Sequence, residues 1–272
     1  MTVRRVVGWI SLRLALLLVI VVFGLPFIWT LVNAVDRDAV RSVPWPRDPT
    51  LDHFRALFDD RNTASALGRS LVVATAAMML ATVSAALAGF AISRMSFRRK
   101  TWLAYAVLLL QTIPLAVTMV PIYDLAVRLD LQDTWHGLIL THSAVTLPLL
   151  VWLMKGFIDT VPRSLEDAAM VDGATELRAW LGVVLPAAAP GIAVVAGFAF
   201  AAAWSEVIMV VLLVTTVEME TLPFQFYYAA DSGADIHTTA ALGVLYVLPV
   251  LALFLALRRL MVGGMVSSIQ NL

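Results

Sequence analysis

Side chains able to carry out bond chemistry are scarce in this sequence. It has no cysteine and four histidines, His53, His136, His142 and His237, none at a metal-ligand spacing from another candidate ligand. His136 and His142 are six residues apart, which puts them on different faces of any helix that holds both. No metal site is expected. A Ser/His/Asp arrangement is not visible. The only lysines, Lys100 and Lys155, follow Arg99 and Met154 rather than glycine, so no Gly-x-x-x-x-Gly-Lys-Ser/Thr phosphate cradle exists. The chain is therefore not expected to be an enzyme or to carry a cofactor of its own.

The polar groups that remain lie inside apolar runs. Glu206 is the one acidic residue deep in such a run. A carboxylate is costly in lipid, so it should face the interior of a helix bundle. Gln111, Thr112, Thr141, His142, Ser143, Thr146 and Ser205 are further polar positions in these runs. They suit a path for a polar solute, and equally hydrogen-bonded glue between helices.

The elements that hold these residues follow from composition. Hydrophobic residues make up 61% and charged residues 14% of the 272, and mean hydropathy is +0.88. Soluble domains are nearer half apolar and a quarter charged. The excess falls into six runs of about 20 residues, the length that crosses a bilayer: 12–32, 70–92, 102–122, 135–154, 191–214 and 240–257. The expectation is an all-α membrane protein with six transmembrane helices, one domain over 1–272, and a core of about 66–260. Pro114, Pro121, Pro148 and Pro249, with the Gly89 region, are expected to kink helices. Tryptophans 9, 29, 102, 135 and 152 sit near run ends, as interfacial residues do.

Basic residues orient the chain. Ser93 to Thr101 holds Arg94, Arg98, Arg99 and Lys100, whereas Thr215 to Thr239 holds no cation. Positive loops stay inside. Both termini and the 155–190 loop are thus expected in the cytoplasm, and 33–66 outside. Within 33–66, residues 51–58 read as a short amphipathic helix with Asp52 at its positive end. Zero net charge gives no reason to expect nucleic acid.

The 155–190 interval reads as a helix-turn unit. Pro162 suits a first turn, and Ser164 with Asp167 fits a capping box. A helix should then run through Ala168, Ala169 and Met170, presenting a small apolar face. Asp172-Gly173 should end it, with Gly173 at positive φ. Thr175 can cap a second helix over 176–184 that Pro186 stops.

The residues of this interval carry a resemblance. Glu166-Asp167-Ala168-Ala169-Met170-Val171-Asp172-Gly173-Ala174, followed by Trp180, Leu185-Pro186 and Pro190, resembles the EAA motif of permease subunits in binding-protein-dependent ABC importers. The surrounding segments Leu129 to Thr134, Leu147-Pro148, Lys155-Gly156-Phe157, Thr221-Leu222-Pro223 and Leu248-Pro249 resemble the carbohydrate-uptake branch, of the kind represented by the smaller maltose-importer permease. The chain departs from that pattern at Asp167, at Trp204-Ser205-Glu206 and in its last residues, 264–272.

The resemblance implies a type I ABC importer permease fold in a bacterial inner membrane, with a cytoplasmic EAA coupling loop between the fourth and fifth spans. It also implies the partners: two ABC ATPases that bind ATP and Mg, a second permease completing a heterodimer, and an external solute-binding protein. The coupling residues would be Glu166, Asp167, Ala168, Ala169, Met170, Asp172, Gly173, Ala174, Leu185 and Pro186, with Glu166 or Asp167 meeting an ATPase arginine. Gln111, Thr141, His142, Thr146, Ser205 and Glu206 would be candidates for the substrate path or permease interface. The solute would be a sugar, or else a polyol, a glycerol phosphate ester or an amino acid. A self-sufficient secondary transporter is the rival of another class. It calls for inverted repeats or a charged relay, and Glu206 stands alone.

Overall fold

The computed structural model describes residues 3–37, 48–96 and 98–269, and, of these, the side chains of residue 9 and of residues 11 to 260. The expected all-helical architecture is what forms. Among the described residues the only extended pairing is an isolated antiparallel bridge between Asp36 and Pro49. The chain divides into two compact units, residues 1–64 with 225–247, and residues 65–224 with 248–272.

In the first unit, α1 (Val3–Val35) is the long apolar N-terminal helix, and α2 (Asp52–Asp59) is the expected amphipathic one. Asp52 lies in the first turn of α2, where the helix dipole favours a carboxylate. The Arg37 guanidinium 2.8 Å away holds the Asp52 carboxyl below its usual range, helped by Thr50 and Arg55. His53 and His237 stack with ring centroids 4.8 Å apart. Each also meets a main-chain oxygen, of Asp36 and Asn33 respectively.

The second unit is built on α3 (Arg61–Arg94) and α6 (Trp135–Asp159). One face of α3 repeats a small residue nearly every turn. Ala74, Ala77, Ala81 and Ala85 are all buried, and small side chains let helices approach closely where lipid supplies no hydrophobic drive. Gly89 continues this face. A Cβ there would lie 2.9 Å from the Lys155 main-chain nitrogen, so this glycine serves close packing against α6. Leu150, Met154 and Ile158 of α6, with Val195 and Ala199 of α10 (Ala189–Ser205), complete the core.

Six runs do not become six straight helices. Among the described residues four helices are long and apolar enough to cross a membrane alone. The third run is broken into α4 (Lys100–Leu110) and α5 (Leu115–Arg128), which meet at 92°. Pro114 N-caps α5, and the turn Gln111 to Ile113 precedes it. A residue before proline is pushed out of helical geometry, so here the proline makes a corner. Helix continues through Pro121, Pro148 and Pro249.

The fifth run also departs from expectation. α10 ends at Ser205. Glu206 is extended, with φ −78° and ψ 110°, and a separate short helix spans Ile208–Leu213. Glu206 therefore lies at a helix break and not within a continuous span. The break is locally stabilised, because the Glu206 carboxylate accepts the free N–H groups of Ile208 and Met209 at 2.8 and 3.2 Å.

Candidate functional site

The motif helix, α7 (Arg163–Val171), follows α6 directly. Pro162 takes the N-cap position, and no side chain caps the helix. The expected Ser164–Asp167 capping box does not form. The C-terminus is as the sequence predicts. Gly173 has φ +89°, a conformation open to glycine. It lets the main-chain N–H groups of Asp172, Gly173 and Ala174 reach back to Ala168, Met170 and Ala169. Thr175 then accepts the Arg178 N–H and caps α8 (Glu176–Ala179).

Pro186 does not stop this second helix. A π-helical turn over Trp180–Val184 leads into α9 (Leu185–Ala187). The wider turn accommodates a proline that has no N–H and whose ring crowds the carbonyl four residues earlier. The chain bends by 75° only where Glu176–Ala187 meets α10.

Two residues at the end of α3 hold this unit. Phe90 packs on Trp180 with ring centroids 5.1 Å apart. One turn on, Arg94 places its Nε 2.5 Å from Oε1 of Glu166. Positions four apart share a helix face, so one face of α3 grips both helices of the loop. The Arg94 and Glu166 side chains are only 8% and 15% exposed. Their close atoms are not aligned as a hydrogen bond, so charge holds the pair. Arg94 also donates to the carbonyls of Ile158 and Val161 at 3.1 and 2.7 Å. Ser93 donates to Asp159, and Arg163 donates to the Ser93 carbonyl at 3.1 Å. The ends of α3 and α6 and the start of α7 thus form one polar knot.

Of the two acidic residues expected to meet an ATPase arginine, Glu166 is turned into the chain and paired with Arg94, which leaves Asp167 as the exposed one. Ala169 and Ala174 are half-buried, whereas Asp167, Ala168 and Asp172 are exposed. Val171, next to the motif's apolar residues, is 87% exposed, and Met170 and Leu177 are exposed too. The sequence marked Arg94 only as one of the cations that orient the chain, not as a residue of this site.

The polar residues of the spans separate into groups. His142 is buried and shares a small cavity with Glu206, Ser70 and Thr221. Thr141, Thr146 and Ser205 return their hydroxyls to main-chain oxygens three and four residues back. Ser143 bridges α6 to the Ala77 carbonyl of α3 at 3.2 Å. Gln111 is exposed at the α4–α5 corner, outside the cavity that holds His142 and Glu206.

At the other end of α6, Asp133 has φ +50°. It accepts the main-chain N–H groups of Thr215 and Thr216 at 2.7 and 3.0 Å and both of their hydroxyls. Partial burial pushes its pKa up, but these hydrogen bonds outweigh it and hold the carboxyl below its usual range.

Small-residue packing, bent spans and a short helix locked to the end of the bundle define an all-helical membrane protein. The chain belongs to the family described as binding-protein-dependent transport system inner membrane component, whose model matches residues 78–266. It is 29% identical over 256 residues to the sulfoquinovosyl glycerol transport system permease protein SmoH of Agrobacterium fabrum, covering 92% of this chain and 90% of that one. It is 30% identical to the diacetylchitobiose uptake system permease protein DasC of Streptomyces coelicolor, covering 95% of each. It is also 30% identical to the maltodextrin transport system permease protein MdxG of Bacillus subtilis, covering 94% of this chain and 93% of that one. Its fold matches a chain of a bacterial ABC transporter that imports the acidic polysaccharide alginate. The TM-score is 0.75 at 16% identity, over 95% of this chain and 98% of that one. The type I importer permease fold is thereby established.

Proposed function

We propose that this chain is a permease subunit of an ATP-driven sugar importer and forms half of its translocation pore. The observation that carries the coupling role is α7 itself, a surface helix with an exposed apolar face whose inner side is fixed to the bundle by the buried Arg94–Glu166 pair. A rigid helix of this kind transmits displacement without doing chemistry. Residues 155–190 are then the cytoplasmic coupling loop, both termini are cytoplasmic, and 33–66 lies outside.

In this reading two ATPase subunits bind ATP and Mg and receive α7 through Ala168, Met170 and Val171. Asp167 is the acidic residue placed to meet an ATPase arginine. A second permease, different from this one, completes the pore, and an external solute-binding protein delivers the ligand. Sugar as substrate is supported by relatives similar along nearly their full length, which are named for sulfoquinovosyl glycerol, diacetylchitobiose and maltodextrin.

The test uses Gly173→Pro. Proline cannot take φ +89° and lacks the N–H that Gly173 donates to Met170. We expect the variant to enter the membrane but to lose both ATPase co-purification and sugar uptake. Normal uptake would exclude α7 as the coupling element.

A further inference from the structure

A cavity that shares Ser93, Arg94, Asp159 and Arg163 with the polar knot also holds groups to which the coupling role gives no part. It has a volume of about 670 Å³ and opens where the last turn of α3, the first turn of α4 and the last turns of α6 converge. Its lining includes Arg94, Lys100, Lys155 and Arg163, against one carboxylate, Asp159. Asp159 is already engaged by Lys155 and Ser93, and Arg94 by Glu166. Lys100 and Arg163, by contrast, meet only the neutral carbonyl of Ser93, at 3.5 and 3.1 Å, and among the described residues neither is paired with a carboxylate. The first turn of α4 contributes Lys100 and Thr101 to the lining, and no side chain caps that helix. Its free amides reinforce a preference for an anion.

The rest of the lining is of another kind. Tyr105 and Trp152 border the cavity and are exposed, as is Trp102 beside them, and Leu103 and Leu109 on α4 are exposed apolar residues. Exposed Trp and Tyr beside cations at the end of an apolar span mark the headgroup level of a bilayer. Basic pockets between spans at that level suit acidic headgroups.

We propose that this cavity binds the phosphodiester headgroup of an anionic phospholipid, with Lys100 and Arg163 as the charge-pairing residues and Tyr105 and Trp152 seating the glycerol and upper acyl region. This rests on the chain's membrane location and not on the reading of its substrate. A lipid held there would sit against Arg163, the first residue of α7, and so against the base of the surface helix.

The test is native mass spectrometry of the intact importer complex, purified in mild detergent and offered phosphatidylglycerol, phosphatidylcholine or inorganic phosphate. We expect one tightly retained phosphatidylglycerol per copy of this chain, with phosphatidylcholine lost readily. Lys100→Gln with Arg163→Gln should weaken retention roughly fivefold for each cation removed. Lys100→Arg with Arg163→Lys keeps the charge and should retain the lipid, which separates loss of the site from loss of folding. Equal retention of the two lipids would overturn the proposal. So would displacement of phosphatidylglycerol by millimolar phosphate, which would make the cavity a site for the free anion.

Discussion

The two ends of α6 are tied down by different physics. The helix has 25 residues, roughly 37 Å at a rise of 1.5 Å per residue. At its start, Asp133 holds a loop by accepting main-chain and hydroxyl hydrogen bonds from Thr215 and Thr216. At its end, Arg94 and Glu166 hold a helix by burying opposite charges. The first device fixes the path of a backbone that stays solvated. The second fixes a rigid element and leaves its far face bare, which is the arrangement a force-transmitting contact needs. The Arg94–Glu166 clasp is also the costlier to break, because water cannot replace a missing partner there.

The largest effect should come from that Arg94–Glu166 clasp. Arg94→Ala or Glu166→Ala leaves one buried charge unpaired, which costs about 3–5 kcal/mol. We expect loss of the folded complex on size-exclusion chromatography and a large drop in thermal stability. The double change Arg94→Met with Glu166→Leu removes both charges and fills similar volume, so it should recover most of that stability. Recovered assembly together with recovered uptake would show that Glu166 acts only through Arg94. Recovered assembly without uptake would return Glu166 to direct contact with the ATPase.

The Asp133 clasp should respond less, and to pH. Asp133→Ala removes the acceptor and leaves a strained φ of +50°, for a cost of about 1–3 kcal/mol. Asp133→Asn keeps an oxygen acceptor and a residue tolerant of that conformation, so it should recover part of the loss. Because the folded Asp133 carboxyl titrates below its usual range, its contribution is complete above about pH 4, the unfolded value. It is lost as pH falls through the lower folded value. Thermal unfolding of wild type against Asp133→Asn across acidic pH checks this. Parallel curves down to the lowest pH would remove the clasp from the comparison.

The same contrast separates what was legible in the sequence from what was not. The end of α7 was legible because its signals are local: Asp172-Gly173 makes the turn and Thr175 caps the next helix within four residues. The six apolar runs were legible because lipid demands length and hydrophobicity. Arg94 was missed because its partner lies across the bundle, and no window of sequence contains both. The available signal was the spacing of four between Phe90 and Arg94 at the end of a span, on the side where the loop emerges. The helix over 176–184 was read as ending at Pro186, when a π turn absorbs the proline. The break at Glu206 was hidden because its flanks are uniformly apolar, and hydropathy cannot tell a continuous span from one interrupted by a self-capping carboxylate.

Glu206 is where the smallest effect is expected. Its described partners are the main-chain N–H groups of Ile208 and Met209, which an amide oxygen serves nearly as well. Glu206→Gln should therefore leave assembly intact and uptake near wild type, whereas Glu206→Ala uncaps the short helix at a cost of about 1 kcal/mol. Its shared cavity with the buried His142 gives the comparison its edge. If Glu206→Gln assembles normally but loses uptake, the charge itself meets the solute or the second permease, and the capping bonds only aim it. If both variants transport in proportion to their stability, the break at Glu206 is a hinge in the backbone of the permease, and the polar path must be sought on other faces of the spans.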